Sequence, residues 1–262
     1  MNLLENILSN KKKEISYNKE YYPVKKLEKS ILFKRKNISL VQSLKQSNTG
    51  IIAEFKSKSP SKGIINNVSS LEEVIDGYRH SGACGISILT DFNFFSGSND
   101  NVKKSRSLIK ETIPILRKDF IISEYQIIES KSIGADIVLL IAEILSKEKI
   151  KNLSKLAKDI GLEVILEIHH EYELDKITDN LDIIGINNRD LRTFIVKRAT
   201  CLSLSSKIPS NYVKIAESGI NDIDFVLELR KYGFKGFLIG EYFMKKKNPG
   251  KFCKKFIKSL LK

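Results

Sequence analysis

Residues 137–167, IVLLIAEILSKEKIKNLSKLAKDIGLEVILE, decide the reading of this chain. An apolar run, Ile137–Ile141, leads into a stretch of helical spacing, Lys147–Ile160, then Gly161, then a second run, Glu163–Leu166, ending on Glu167. Glycine is favoured just beyond a helix C-terminus, so the stretch reads as strand, helix and parallel strand. The unit recurs. Further runs lie at Ile51–Ala53, Gly85–Leu89, Ile113–Leu116, Ile183–Ile186, Val213–Ala216 and Gly236–Ile239. Helical stretches at Leu71–Ser81, Val102–Glu111, Glu124–Ile133 and Asp222–Tyr232 separate several of them, and Gly82, Gly134 and Gly233 stand where helices stop. A doubly wound open sheet fits the same alternation. Eight runs, most of them ending on polar residues capable of chemistry, favour the α/β class and a closed (β/α)8 TIM barrel, whose active site is built at the carboxyl ends of its strands.

Upstream, Leu3, Leu4, Ile7, Leu8 and Ile15 recur at near-helical spacing across residues 1–16, Tyr21-Tyr22-Pro23 interrupts, and Asn37–Gln46 offers a second short helix capped by Ser39. One TIM-barrel domain over residues 1–262 is expected, with an N-terminal helical extension (1–48) and the barrel proper (49–262). The length matches the roughly 250 residues of such a barrel, and no Gly/Ser- or Pro-rich linker divides it. No apolar stretch reaches the ~18 residues of a membrane span, and the N-terminus turns charged too early for a secretory signal, so no membrane association and a cytoplasmic location are expected. Cys84, Cys201 and Cys253 are far apart and odd in number, which argues against a disulfide framework. Three histidines without ligand spacing argue against a structural metal. The net charge of +14 is scattered along the chain, densest at Lys11–Lys13, Lys245–Lys247 and Lys251–Lys255. Without a basic stripe interleaved with aromatics it reads as solvated helix surface, not as a nucleic-acid site, and its field would help capture an anionic substrate. The rival of a different class is a non-catalytic basic binding protein on a barrel scaffold.

The strand ends carry the chemistry. Strand alternation puts Glu54 and Lys56 on one side; if that side is the barrel lumen they are aimed together into its top, the alternative being a surface edge strand with a cross-paired charge. Ser57–Gly63 (SKSPSKG) follows as a small, polar, mobile loop suited to cover an anion. Lys118 ends the third run, where a partly desolvated lysine can protonate a carbonyl or form a Schiff base. Glu167, after Val164-Ile165-Leu166, is its partner as general acid or base, although either group alone also reads as half of a structural ion pair. His169 and His170 read as a solvated loop. Gly219 and Gly240, after the seventh and eighth runs, mark the loops that cradle phosphate in many barrels.

Together these stretches resemble the indole-3-glycerol phosphate synthase family. The likeness runs through Ile52–Gly63 (IAEFKSKSPSKG), Ser87–Asp91 (SILTD), Phe95–Ser98 (FSGS), Leu116–Ile122 (LRKDFII), Glu124–Gln126 (EYQ) and Gly134–Asp136 (GAD). It continues in Leu139–Ile141, Glu167–His169 (EIH), Ile184–Leu191 (IGINNRDL), Ala216–Ile220 (AESGI) and Phe237–Glu241 (FLIGE), in order over nearly the whole chain. The resemblance implies a decarboxylating ring closure of 1-(2-carboxyphenylamino)-1-deoxyribulose 5-phosphate without cofactor or metal. It implies Lys118 as general acid, Glu167 in the later proton transfers and dehydration, Lys56 on the substrate's anionic groups, and Glu54 with Asn187 as orienting groups. Glu217 and Ser218 would complete a polar rim. Ser59, Arg189, Gly219, Gly240 and Glu241 would surround the phosphate, and Phe95, Phe120, Leu139, Ile141 and Leu191 would wall the anthranilate ring. A small phosphorylated substrate and a monomer are expected, with no fused second barrel. Other phosphate-binding barrels of the same pathway, which use a cysteine–aspartate or glutamate–aspartate pair, fit the two strand-end lysines poorly. Two stretches depart from the family pattern. Ile195–Thr200 (IVKRAT) is basic after the sixth run, and Thr178–Asp182 before it lacks a Gly-Ala; neither touches an expected catalytic position, so only loop conformation is in question.

Overall fold

Runs of four to six aliphatic residues, apolar at nearly every position, are stable only as strands covered on both faces. In the computed structural model, which describes residues 3–262, they pair in that way. Strands β1 (Ile51–Phe55), β2 (Gly85–Leu89), β3 (Ile115–Lys118), β4 (Ile137–Ile141), β5 (Glu163–Ile168), β6 (Ile183–Asn187), β7 (Val213–Glu217) and β8 (Gly236–Ile239) form a closed parallel barrel, each beside its sequence neighbour and β8 beside β1. Helices cover the outside. They include Leu71–Arg79, Asn99–Ile109, Glu124–Ser132, Lys147–Asp159 and Ile223–Lys231 at the expected places. Gly82, Gly134, Gly161 and Gly233 follow four of these five with φ between +80° and +93°, the left-handed conformation a helix stop needs.

The boundaries differ from the sequence reading at the strand ends. β1, β5, β6 and β7 run on through Glu54, Glu167, Asn187 and Glu217, so these residues belong to the strands themselves. β3 is displaced: it begins at Ile115, after Pro114, which has no amide to donate, and includes Lys118.

Alternation explains which side chains face inward. Ile52, Leu116, Leu139, Ile165, Ile183, Ile215 and Leu238 form one buried cluster inside the barrel. Leu40 and Leu44 of helix Leu40–Gln46 join that cluster and plug the end where the strands begin. A Cβ on Gly85 would come within 2.7 Å of Leu40, which is why that strand starts on glycine. Ser39 caps the plug as expected, accepting from the Gln42 amide at 3.0 Å, and Glu163 adds two further bonds to the amides of Leu40 and Val41 at 2.8 and 3.1 Å. The first helix, Leu3–Tyr21, outlasts the expected 1–16 and stops short of Tyr22-Pro23, as the geometry preceding a proline requires. Met1 and Asn2 of the expected extension lie outside the described residues.

Asp136 ties the extension to the barrel. Its Oδ1 accepts from Arg35 Nη2 at 2.5 Å and from the Ile38 amide at 2.9 Å, and its Oδ2 accepts from the Ile115 amide at 2.8 Å and from Arg106. Both partners of the Arg106–Asp136 pair are buried, and breaking such a pair costs about 3–5 kcal/mol. Asp136→Asn is therefore expected to lower Tm by about 10 °C in a thermal melt, with strand content unchanged below the transition.

Candidate active site

Two residues beyond several of the inward positions, the side chains turn polar. Glu54 follows Ile52, Lys118 follows Leu116, Glu167 follows Ile165, Asn187 follows Gly185 and Glu217 follows Ile215, all facing the same mouth of the barrel. A cavity of about 620 Å³ opens there. Its lining contains every expected residue: Glu54, Lys56, Ser59, Phe95, Lys118, Phe120, Leu139, Ile141, Glu167, Asn187, Arg189, Leu191, Glu217, Ser218, Gly219, Gly240 and Glu241.

Lys118 is the hub. Its Nζ donates to Glu167 Oε2 at 3.1 Å and to Glu217 Oε2. Burial works against its charge, but Glu167, Glu217 and Glu54 together outweigh burial and hold it well above the usual lysine range. Burial also opposes the charge of Glu167, yet Lys118, His169 and Asn187 keep its carboxyl well below the usual range. Asn187 Nδ2 donates to Glu167 Oε1 at 3.1 Å. Glu217 behaves oppositely. Burial and the neighbouring Glu167 charge prevail over Lys118 and push it up to about 7. Expected with Ser218 to complete the polar rim, Glu217 is 1% exposed and is the second carboxylate on Lys118. Gly185 makes room for it, since a Cβ there would stand 2.5 Å from Glu217 Oε1. Gly240 does the same for Glu54. Lys56 Nζ lies 2.7 Å from Glu54 Oε1, so the expected same-side pair is formed.

Around this centre stand two kinds of wall. Phe95 and Phe120 pack with ring centroids 6.1 Å apart, and Leu139, Ile141 and Leu191 extend the apolar side. On the other side, Ser218 and Gly219 both take positive φ (63° and 71°), and Arg189 reaches Glu241 Oε2 at 3.2 Å. The expected loop at 57–63 is more ordered than its composition implied: Lys58 and Ser59 pair antiparallel with Ile64 and Gly63. Ser59 Oγ is buried with no hydrogen bond among the described residues.

The family model of indole-3-glycerol phosphate synthase matches residues 4–256, nearly the whole chain. The chain belongs to the indole-3-glycerol phosphate synthase family. It is 43% identical over 258 residues to the indole-3-glycerol phosphate synthase of Bacteroides thetaiotaomicron, covering 98% of each chain. The Caldanaerobacter subterraneus synthase is also 43% identical, over 244 residues and 93% of each. Among solved structures, 3-hexulose-6-phosphate synthase from Salmonella typhimurium superposes with a TM-score of 0.64 at 12% identity, over 81% of this chain and 98% of that one, a likeness of fold alone.

Around this cavity, three features go beyond the sequence reading. Lys11 of the first helix is buried, its Nζ 2.8 Å from Glu14, 3.1 Å from Asp91 and 2.9 Å from Asp119. Asp91 caps the short helix bearing Phe95, and Asp119 precedes Phe120, so one lysine fixes both aromatic walls. The basic stretch after β6 reaches the expected phosphate loop: Arg198 lines the cavity and its Nε donates to the Gly219 carbonyl at 3.0 Å. An isolated bridge between Arg189 and Val196 folds that segment back over the neighbouring β7 loop. Finally, His169 is not solvated but 5% exposed, beside Glu167; only His170 faces outward.

Proposed function

We propose that this cavity converts 1-(2-carboxyphenylamino)-1-deoxyribulose 5-phosphate into indole-3-glycerol phosphate, carbon dioxide and water. The observation that carries the reading is Lys118, a charged ammonium held by two buried carboxylates beside an apolar-walled cavity. The aryl carbon bearing the carboxylate attacks the ribulose ketone. As that C–C bond forms, the carbonyl oxygen takes a proton from Lys118 Nζ and becomes a hydroxyl. The bond to the carboxylate then breaks, its electron pair restores the aromatic ring, and carbon dioxide leaves. In the last stage the hydroxyl departs as water with a proton drawn from solvent, while Glu167 removes a proton from the neighbouring carbon. Two protons are delivered and one is withdrawn, so one is taken up per turnover, matching the negative charge lost with the carboxylate.

Phe95, Phe120, Leu139, Ile141 and Leu191 would hold the anthranilate ring out of bulk water, which weakens the carboxylate's solvation before it leaves. Lys56 would engage the substrate's anionic groups, Glu54 and Asn187 would orient its polar groups, and Ser218 would complete the rim. Ser59, Arg189, Gly219, Gly240 and Glu241 would surround the phosphate. The acid and the base of this scheme are side chains, so it calls for no metal or cofactor. A cytoplasmic monomer acting without nucleic acid is the proposed working form.

The test is product fluorescence, with this substrate and no added metal. Indole-3-glycerol phosphate formation is expected; a folded protein that binds substrate and yields no product would overturn the reading. The phosphate assignment has its own check. Lys56→Ala and Gly219→Ala are each expected to raise KM about tenfold or more, with kcat changed far less. In the second variant the added Cβ meets Val196 Cγ1 at 2.6 Å on a backbone with φ of +71°. An effect on kcat alone would remove these residues from substrate binding.

A further inference from the structure

Glu167 is held from two sides. Toward the cavity it meets Lys118 of β3 and Asn187 of β6, with Glu217 of β7 on the far side of the same lysine. Behind it, His169 Nε2 lies 3.2 Å from Glu167 Oε1, the oxygen that Asn187 also contacts. The imidazole's other nitrogen, Nδ1, faces Glu173 Oε2 at 3.7 Å. Neither ring contact is aligned as a hydrogen bond, so both act as charge contacts. Glu173 is buried and fixed, its Oε2 accepting from the amides of His169 at 2.5 Å and His170 at 2.9 Å. Beyond lies a second cavity of about 400 Å³, lined by His169, His170, Glu171, Asp190 and Lys197. The main cavity has Glu167 in its wall, the second has His169, and Asn187 borders both.

A buried imidazole between two carboxylates favours its charged form. Burial pushes the pKa of His169 down, but Glu167 and Glu173 prevail and raise it to about 10, so the ring is cationic at neutral pH. Of the outer groups, His170 is turned to Asp190 at 3.6 Å, while Glu171 and Lys197 line the same cavity. In the resting site Lys118 also compensates Glu167. Once Lys118 has given its proton to the substrate carbonyl it is neutral, and that compensation is gone. The cation that stays in place is His169.

We propose that His169, braced by Glu173, is a positioning residue of the reaction, whose imidazolium keeps Glu167 a carboxylate while Lys118 is discharged. This rests on the reading of Glu167 as the base of the later step. Its consequence has a definite sign. Removing the cation makes the Glu167 carboxylate harder to keep, so Glu167 takes up a proton at higher pH and stops serving as a base there.

The experiment compares His169→Asn, Glu173→Gln and Glu167→Gln in the full chain, measuring kcat and KM from about pH 3 to about pH 9, with a thermal melt for each. His169→Asn is expected to move the acid limb of kcat upward by about one pH unit or more, a tenfold loss at the acid end per unit, with KM nearly unchanged. Glu173→Gln weakens the imidazolium and is expected to move the limb the same way by less; it carries the test if the histidine variant fails to fold. A folded His169→Asn enzyme whose kcat falls equally at every pH, or not at all, would reduce His169 to packing and overturn the inference. Wild-type kcat in Glu167→Gln would instead overturn the reading of Glu167 beneath it.

Discussion

Lys118→Ala is expected to lower kcat by at least about 10³-fold, close to 4 kcal/mol of barrier, while the barrel remains folded. The size follows from the lysine's place. Its Nζ contacts Glu167 and Glu217, and the Glu54 charge also supports its own. A proton donor at the reacting carbonyl is thus lost together with the fixed positive charge that faces the developing alkoxide. The fold survives because Glu217, already raised by burial, neutralises by taking up a proton, while Glu167 keeps His169 beside it. Lys118→Arg separates the two contributions. The guanidinium keeps the charge but does not release a proton, so an acid role requires this variant to be nearly as inactive as the alanine one. Activity near the wild-type level in Lys118→Arg would make the lysine an electrostatic group only. Both are read by product fluorescence, alongside a melt showing a cooperative transition.

Much of this site is legible in the amino-acid sequence. In a barrel the inward positions alternate, and a strand that keeps its register carries the alternation into its last residues. Ile52 with Glu54, Ile165 with Glu167 and Ile215 with Glu217 are such pairs, so apolar runs ending on charges reveal both the fold and the mouth. The same step of two reaches His169 after Glu167, a signal present in the sequence but hidden because paired histidines after a strand look solvated. Lys11 is illegible for another reason. Its partners Asp91 and Asp119 lie some 80 and 108 positions away, and a lysine in a cluster of three reads as surface. Arg198 reaches Gly219 only because the segment after β6 folds back at the Arg189–Val196 bridge, and no local pattern encodes that return. The third strand slips because Pro114 sits inside an otherwise apolar run, and a missing donor is weaker evidence than hydrophobicity when a boundary is read from composition.

Glu167→Gln should lower kcat by about 10²–10⁴-fold with KM little changed, because glutamine keeps the volume and loses the base. It also reports on Glu217. In the wild type the carboxyl of Glu217 titrates near 7, raised by burial and by the Glu167 charge against the pull of Lys118. Neutralising residue 167 removes the like charge and leaves Lys118 bound to Glu217 alone. Both changes favour the ionised form, so the Glu217 titration must move to lower pH. Infrared spectra of the protonated carboxyl stretch read this directly. The wild type is expected to lose one buried carboxyl band as pH rises through about 7, and Glu167→Gln to lose it at lower pH. A band that stays at the wild-type pH would mean that Glu217 is raised by burial alone and that the two carboxylates do not share Lys118. An upward move would contradict the sign of the interaction and place the charge on the other member of the pair. In either case the roles of acid, base and counter-charge around Lys118 would need to be assigned again, because the proposed sequence depends on Glu167 being the carboxylate that stays ionised while its neighbour gives way.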